Sequence, residues 1–372
     1  MNQNWYTCDV PRRKSILFIT PYPDGEAPSQ RFRFEQYFKV LQSNQFDFTT
    51  QSFLTASNWR VFYGPGNSTK KAIALLFGFW RRAVGIIAVR RADFVFIHRE
   101  ATPVGPPIFE WIIAKLFRKR IIYDFDDALW LTDRKDESRL IRMAKWRGKI
   151  STICKWSFRV SCGNAYLCDF ARRFNQSVIL NPTTIDTLTR HTPEPASNRI
   201  VRSDNVVVGW TGSHSTLKYF EQLEPVLQTL ENRFPGVSFV VIANRAPSVK
   251  LKRLHFIQWR ESTEIEDLKS MDIGLMPLPD DPWSQGKCGF KILQYMSLEI
   301  PSVSSPVGVN TSIVTHGYNG FLANSEHEWI ELLEKLIIDP ALRREVGARG
   351  RDTVVTRYSV TSNTSTFLAL FE

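Results

Sequence analysis

Lys287 and Lys291 lie within about one helical turn of each other on either side of Gly289, at the start of the run GKCGFKILQYMSLEIPSVSSPVGVN (286–310). The run reads as loop, helix, tight turn and a short β-rich segment. Gly286 and Gly289 are expected to leave backbone N–H groups uncovered. A helix starting near Phe290 adds the free amides and the positive dipole end of its first turn. Two cations and several amides aimed into one space suit a diphosphate. The helix is expected to stop at Leu298–Glu299, before Pro301, and a second loop, Ser305–Asn310, returns to the same edge. A glycine in such a loop also has a purely steric reading, so the Gly-Lys spacing alone leaves both open.

Other polar residues stand at the ends of apolar, strand-like runs. His98-Arg99-Glu100 closes one such run, and Asp124-Phe125-Asp126-Asp127 closes the next. Asp124 and Asp126, at i and i+2, would face one side and could suit Mg²⁺ or Mn²⁺. A helix N-cap by Asp126 or Asp127 is the competing reading. Arg31 and Arg33 flank a helix start, where they either contact a bound group or sit exposed. Trp210–Thr216 places Thr211, Gly212 and Ser213 at another strand end, a small cradle for phosphate or sugar. The chain has no Walker A sequence: Gly64–Lys70 matches it only loosely. Neither the dinucleotide G-x-G-x-x-G after the first strand nor a G-x-S-x-G nucleophile elbow is present. Those absences exclude the motif-bearing nucleotide hydrolases, nicotinamide oxidoreductases and serine hydrolases.

The elements that must position these residues alternate. Ser15–Thr20 reads as a buried strand, Pro21–Arg31 as a loop, Phe32–Gln42 as a helix and Phe46–Ser52 as a strand. That order implies a right-handed parallel βαβ unit. Asp93–His98 and Arg120–Phe125 extend the sheet. After Asn181–Asp204, a linker-like stretch with Pro182, Pro193 and Pro195, the scheme repeats. Its elements are a strand Asn205–Trp210, a helix Leu217–Phe234, a strand Val237–Ala243 and a strand Asp272–Leu278. The expected architecture is α/β, with two Rossmann-like domains facing across a cleft: 1–185, 200–357, and a last helix over 358–372. Function is expected at the carboxyl ends of the strands.

A length of 372 residues fits two domains. Net charge is +11 overall but +14 over residues 1–200 and −3 over 201–372, so the halves call for different partners. No unbroken apolar run reaches a membrane-spanning length, and the N-terminus lacks a secretory pattern, so a cytoplasmic protein is expected. Five cysteines without metal spacing read as reduced, buried thiols. Residues 70–91 carry Ala72, Leu75, Leu76, Phe79, Trp80, Ala83, Ile86 and Ile87 at helical spacing, interleaved with six Lys and Arg. Such a helix either lies on an anionic membrane, peripherally on the inner face of the plasma membrane, or packs on the sheet with an exposed basic face. No nucleic-acid motif is visible, and nucleic acid is not an expected partner.

The segment Lys291–Met296, with Ile300–Asn310 and His316–Leu322, resembles the nucleotide-sugar loop of retaining glycosyltransferases of the GT-B fold in family four (group 1). The resemblance implies sugar transfer from a nucleotide-diphosphate sugar, a co-substrate rather than a resident cofactor, without a metal, to a polysaccharide, glycolipid or other acceptor. The expected donor-site residues are Thr211, Gly212, Ser213, Gly289, Phe290, Gln294, Val309 and Asn310. His98, matching the histidine of the family's cleft, is expected to be catalytic with Lys287 and Lys291. Arg31, Arg33, Arg99, Glu100, Asp126 and Asp127 are expected on the acceptor side. The chain departs from the family's glutamate pair, which would fall at Gly286 and Gln294. Either Asp280, Asp281 or Gln285 fills in, or the protein binds nucleotide sugars with weak or no transfer.

Overall fold

The computed structural model describes residues 12–64, 66, 68–133, 137–194 and 205–372. The segment 1–11 with Cys8, residues 65, 67 and 134–136, and the part of the expected linker at 195–204 lie outside the described residues. In the N-terminal half, β1 (Lys14–Thr20), β2 (Phe46–Ser52), β3 (Phe94–His98), β4 (Arg120–Phe125), β5 (Arg159–Cys162) and β6 (Val178–Leu180) form a parallel sheet in the order β2-β1-β3-β4-β5-β6. In the C-terminal half, β7 (Val206–Gly212), β8 (Val237–Ala243), β9 (Leu254–Gln258), β10 (Ile273–Met276), β11 (Ser302–Ser304) and β12 (Phe321–Leu322) pair in the order β12-β11-β10-β7-β8-β9.

Both sheets are covered on two faces, as an all-parallel sheet requires. Along β1, Leu17 and Ile19 pack against Ile150, Ile153 and Leu167 from the helices on one side. Ile16 and Phe18 point the other way, into Phe34, Tyr37, Phe367 and Phe371. Residues near the C-terminus thus complete the N-terminal core, with the Phe367 ring stacked on Tyr37 at 4.1 Å. The order of strands reverses beside β1 in one sheet and beside β7 in the other. Crevices open at the carboxyl ends of strands at such reversals, and the two crevices face each other.

Several expected helices are broken. The stretch 32–42 consists of Glu35–Tyr37 and Phe38–Ser43, after a short helix Pro28–Arg31. The stretch 217–234 divides into Leu217–Glu221 and Glu224–Arg233, because Pro225 cannot donate an N–H to continue the first piece. The final stretch holds only Thr364–Leu368 and Ala369–Phe371.

Ser68–Gly85 is helical, continued by a 3₁₀ turn over Ile86–Arg91. Its sheet-facing stripe is Ala74, Gly78 and Arg82. A Cβ at Gly78 would lie 2.4 Å from the Phe53 ring, so glycine permits that close packing. Arg82 donates to the carbonyls of Ala101, Gln51 and Thr20 at 3.0, 2.9 and 3.0 Å. Ile73, Leu76, Trp80, Val84 and Ile87 are left exposed. This reverses the expected packing, with a cation inside and apolar side chains outside. By length and hydropathy alone Ser68–Arg91 could cross a membrane, so lack of an unbroken apolar run did not rule such a helix out. Here Arg82 holds it against the sheet.

Candidate active site

Gly289 caps the helix Phe290–Ser297 with φ 68° and ψ 16°, a left-handed conformation that favours glycine. A Cβ there would also meet Ile313 at 2.3 Å. No side chain caps this helix, and the first amide with an intrahelical partner is that of Leu293, to the Gly289 carbonyl at 3.2 Å. The amides of Phe290, Lys291 and Ile292 are therefore available to a ligand. The Gly286 amide is not, contrary to expectation: it donates to the Trp283 carbonyl at 3.1 Å.

Lys291 rises from this first turn beside Gly212, where a Cβ would come within 2.9 Å of the lysine chain. Its Nζ lies 5.5 Å from the centre of the Trp210 ring. It forms no ion pair among the described residues. Burial and the nearby Lys287 ammonium lower its pKa to about 8. Lys287 differs: its Nζ donates to Asp127 Oδ1 at 2.8 Å. Burial opposes the Lys287 charge, but Asp127 more than offsets that and its pKa is raised.

A cleft of about 530 Å³ lies over this turn, lined from the C-terminal domain by Thr211–Thr216, Trp259, Glu264, Lys287, Gly289, Phe290, Lys291 and Gln294. That volume falls within the range of small-molecule sites. Opposite stand Arg33, Arg99, Asp126 and Asp127 from the N-terminal domain. The two sides are drawn together by the Asn164 amide, which donates to the Gln285 and Lys287 carbonyls at 3.1 and 2.8 Å. Gly286 and Ala128 meet at the same interface: a Cβ on Gly286 would stand 2.7 Å from the Ala128 methyl. The family's first glutamate is missing at a position that has no room for it.

The N-terminal wall is a network of ion pairs. Arg99, with a positive φ of 62°, donates to Asp127 at 2.8 Å and lies 3.7 Å from Asp126. Such a conformation is uncommon for a non-glycine residue and is maintained by surrounding contacts. Burial opposes ionisation of Asp127, but Lys287 and Arg99 outweigh it and hold its pKa below the usual carboxylate range. Burial raises the Asp126 pKa, with Arg99 compensating only in part. Asp126 accepts no side-chain hydrogen bond among the described residues, and its Oδ1 is buried without a donor.

Five expected site residues, Arg31 among them, do not line the cleft. His98 is fully buried, with Nδ1 2.8 Å from Asp124 Oδ2. It still pairs in register with Asp124 inside the sheet, and Phe34 covers its ring at 5.4 Å. Glu100 turns aside to Lys149 at 2.7 Å. Asn310 is buried, donating to the Ser305 carbonyl at 3.0 Å, and Val309 packs behind Gly289. These two buttress the cradle.

Arg31 and Arg33 are also committed. Arg31 makes two hydrogen bonds to Glu264, at 2.9 and 3.2 Å, which tie one domain to the other. Arg33 reaches the cleft wall, yet its guanidinium is spent on Asp124, the Asn181 carbonyl and Ser161. Asp124 is kept well below the usual carboxylate range: burial opposes its charge, but Arg33 and His98 prevail. No group of three His, Cys, Asp or Glu residues among those described could hold a metal.

Asp280 and Asp281 do not replace the missing glutamates. Asp281 caps the helix Pro282–Gln285, while Asp280 accepts from Gln285. The carboxylate beside Gln294 is Glu264, which accepts from its side-chain amide at 3.4 Å and from Trp259 Nε1 at 3.3 Å. Sequence reading missed Glu264, Trp259, Tyr22, Trp59 and Tyr63. The usable signal was position: Tyr22 follows β1, Trp259 follows β9, and Trp59 and Tyr63 share a helix face after β2.

Residues 205–339 match the family Glycosyl transferases group 1. The whole chain is similar in structure to sucrose-phosphate synthase from Thermosynechococcus elongatus, with TM-score 0.69 and 14% identity over 96% of this chain and 98% of that one. It is similar to Anabaena HepE, solved with UDP and glucose, with TM-score 0.62 and 14% identity over 96% and 99%. A glycosyltransferase from Rickettsia africae gives TM-score 0.65 and 10% identity over 96% and 98%. At such identities the likeness establishes the fold, which is GT-B.

Proposed function

We propose that the protein, whose residues 205–339 match the group 1 glycosyltransferases within a GT-B fold, transfers a sugar from a nucleotide-diphosphate donor to a saccharide acceptor carried on a lipid. The observation that carries the donor site is Lys291. Among the described residues it is a cation without a counter-ion at a cleft, beside three amides that no protein group uses. Charge developing on a departing diphosphate is best met by donors fixed in advance. HepE, a structural relative, was solved with UDP-glucose.

In the proposed reaction the acceptor hydroxyl oxygen bonds to the anomeric carbon. The bond from that carbon to the phosphate oxygen breaks, and its electron pair leaves with the diphosphate. Lys291 and the Phe290–Ile292 amides stabilise that anion. The resemblance to retaining enzymes implies that the leaving phosphate takes the hydroxyl proton on the same face. Lys287, held by Asp127, sets the distance between the domains. Glu264 and Gln294 are positioned to meet the donor's ribose, in place of the family's second glutamate.

The lipid part of the reading rests on the outward face of Ser68–Arg91. Ile73, Leu76, Trp80 and Ile87 are each at least 60% exposed, and the exposed Arg90 and Arg91 follow on the same segment. An apolar face flanked by cations suits an anionic membrane surface. Anionic liposomes should retain the protein and release it as salt rises. Indifference to lipid charge would return this face to another role.

The transferase reading is tested by heating the protein with UDP, GDP and ADP in turn. A nucleoside diphosphate that binds only the folded state raises Tm, by an amount that grows with concentration. No shift with any of the three would remove the donor site.

A further inference from the structure

On the N-terminal side of the cleft, beyond Asp126, stand Tyr22, Trp59 and Tyr63. Trp59 and Tyr63 lie four apart on the helix Ala56–Tyr63, with ring centres 4.1 Å apart. Tyr22 meets Trp59 edge to face at 4.7 Å, and the two tyrosine hydroxyls are 3.4 Å apart. None of the three belongs to a hydrophobic core of the domain, and no residue of their helix is buried. Tyr63 is 51% exposed. Packing of the fold therefore does not account for the cluster. It forms a wall of aromatic faces over a solvent-filled cleft, an arrangement that binding sites use because a ring offers a large apolar face while keeping a polar edge.

Beside this wall stand carboxylates and Arg99, whose guanidinium is committed to Asp127 and lies 3.7 Å from Asp126. Glu26 and Asp126 line the same cleft, and neither carboxylate has a hydrogen-bond partner among the described residues. A pyranose ring combines an apolar C–H face with a rim of hydroxyl donors, and so matches aromatic faces bordered by carboxylate oxygens that accept no hydrogen bond among the described residues. The contacts Arg99 to Asp127 and Asp127 to Lys287 join the wall to the amide cradle, so a ring held here lies on the way to the donor site.

We propose that Tyr22, Trp59 and Tyr63 form the subsite for the acceptor's pyranose ring, with Asp126 and Glu26 receiving its hydroxyl hydrogens. This rests on the transferase reading above, extending it from the donor to the acceptor.

The test is saturation-transfer NMR on the full chain with UDP present. The probes are methyl α-glucopyranoside, methyl α-mannopyranoside and methyl β-galactopyranoside. At least one should receive saturation at its ring C–H protons. Trp59→Ala and Tyr63→Ala should each lower that signal by about fivefold, as loss of an aromatic contact does, while Trp59→Phe keeps most of it. The Tm shift with UDP, GDP or ADP should be unchanged in all three variants. Tyr63 is exposed, so its variant remains informative where Trp59→Ala fails to fold. No pyranoside signal from wild type that still shows the nucleotide shift would overturn the subsite and leave the donor reading intact. Signals unchanged in Tyr63→Ala and Trp59→Ala, or loss of the nucleotide shift with the sugar signal kept, would overturn it too, the latter by making the wall a nucleobase platform. Failure of the nucleotide shift in wild type strikes the donor reading instead.

Discussion

The two sides of the cleft use cations in opposite ways. The N-terminal half holds the excess positive charge, yet each arginine at its cleft edge is matched: Arg33 with Asp124, Arg99 with Asp127, Arg31 with Glu264. The C-terminal half is slightly acidic, yet presents Lys291 beside open amides with no carboxylate partner among the described residues. If Lys291 is the anion's partner, as proposed, net charge by domain points to the other wall. In the proposed reading, what decides is whether a cation's partner is already in the protein: matched cations hold the domains together, and Lys291, unmatched among the described residues, is the one assigned to a ligand.

Breaking a matched pair should cost stability. Arg33→Ala leaves the buried Asp124 carboxylate without its arginine, held only by His98 and the Ser161 hydroxyl, and removal of one partner of a buried ion pair costs about 3–5 kcal/mol. Chemical denaturation should show that loss. The same variant, where folded, should keep its affinity for a nucleoside diphosphate. A stability change within error would mean that Arg33 is not the anchor of this wall.

A smaller effect separates the two lysines by pH. The Lys291 pKa is about 8 in the free protein, and a bound diphosphate favours its charged form. Binding is thus strongest below pH 8 and weakens as pH rises through it, at most about tenfold, or 1.4 kcal/mol, per pH unit. Lys287, whose pKa Asp127 raises, stays charged across that interval and contributes no such slope. Calorimetric titrations between pH 7 and 9.5 should show the decline in wild type and a flat profile in Lys291→Ala. A wild-type profile that is itself flat would assign the anion to other groups.

The fold was largely legible because periodicity and strand-end polarity are local. The runs Ser15–Thr20, Arg120–Phe125 and Val237–Ala243 all proved to be strands, and the helix beginning at Phe290 starts where the Gly289 turn puts it. The site was legible only where one segment builds it, as at Gly289–Lys291. His98 and Arg31 were misplaced for a different reason. Whether a polar residue at a strand end faces a cleft or turns inward depends on partners far away in sequence. Asp124 and Phe34 claim His98, and Glu264, more than two hundred residues on, claims Arg31. Gly286 shows the same limit, since the reason a glutamate cannot stand there is Ala128 in the other domain.

The central claim, that Lys291 rather than its matched neighbours meets the departing diphosphate, is tested most directly by the single-turnover rate of diphosphate release. The comparison is wild type against Lys291→Ala, at saturating donor. Loss of one preorganised donor to a developing anion lowers the rate by ~10²-fold or more, and that is the predicted result. Release at a near-normal rate would contradict the account.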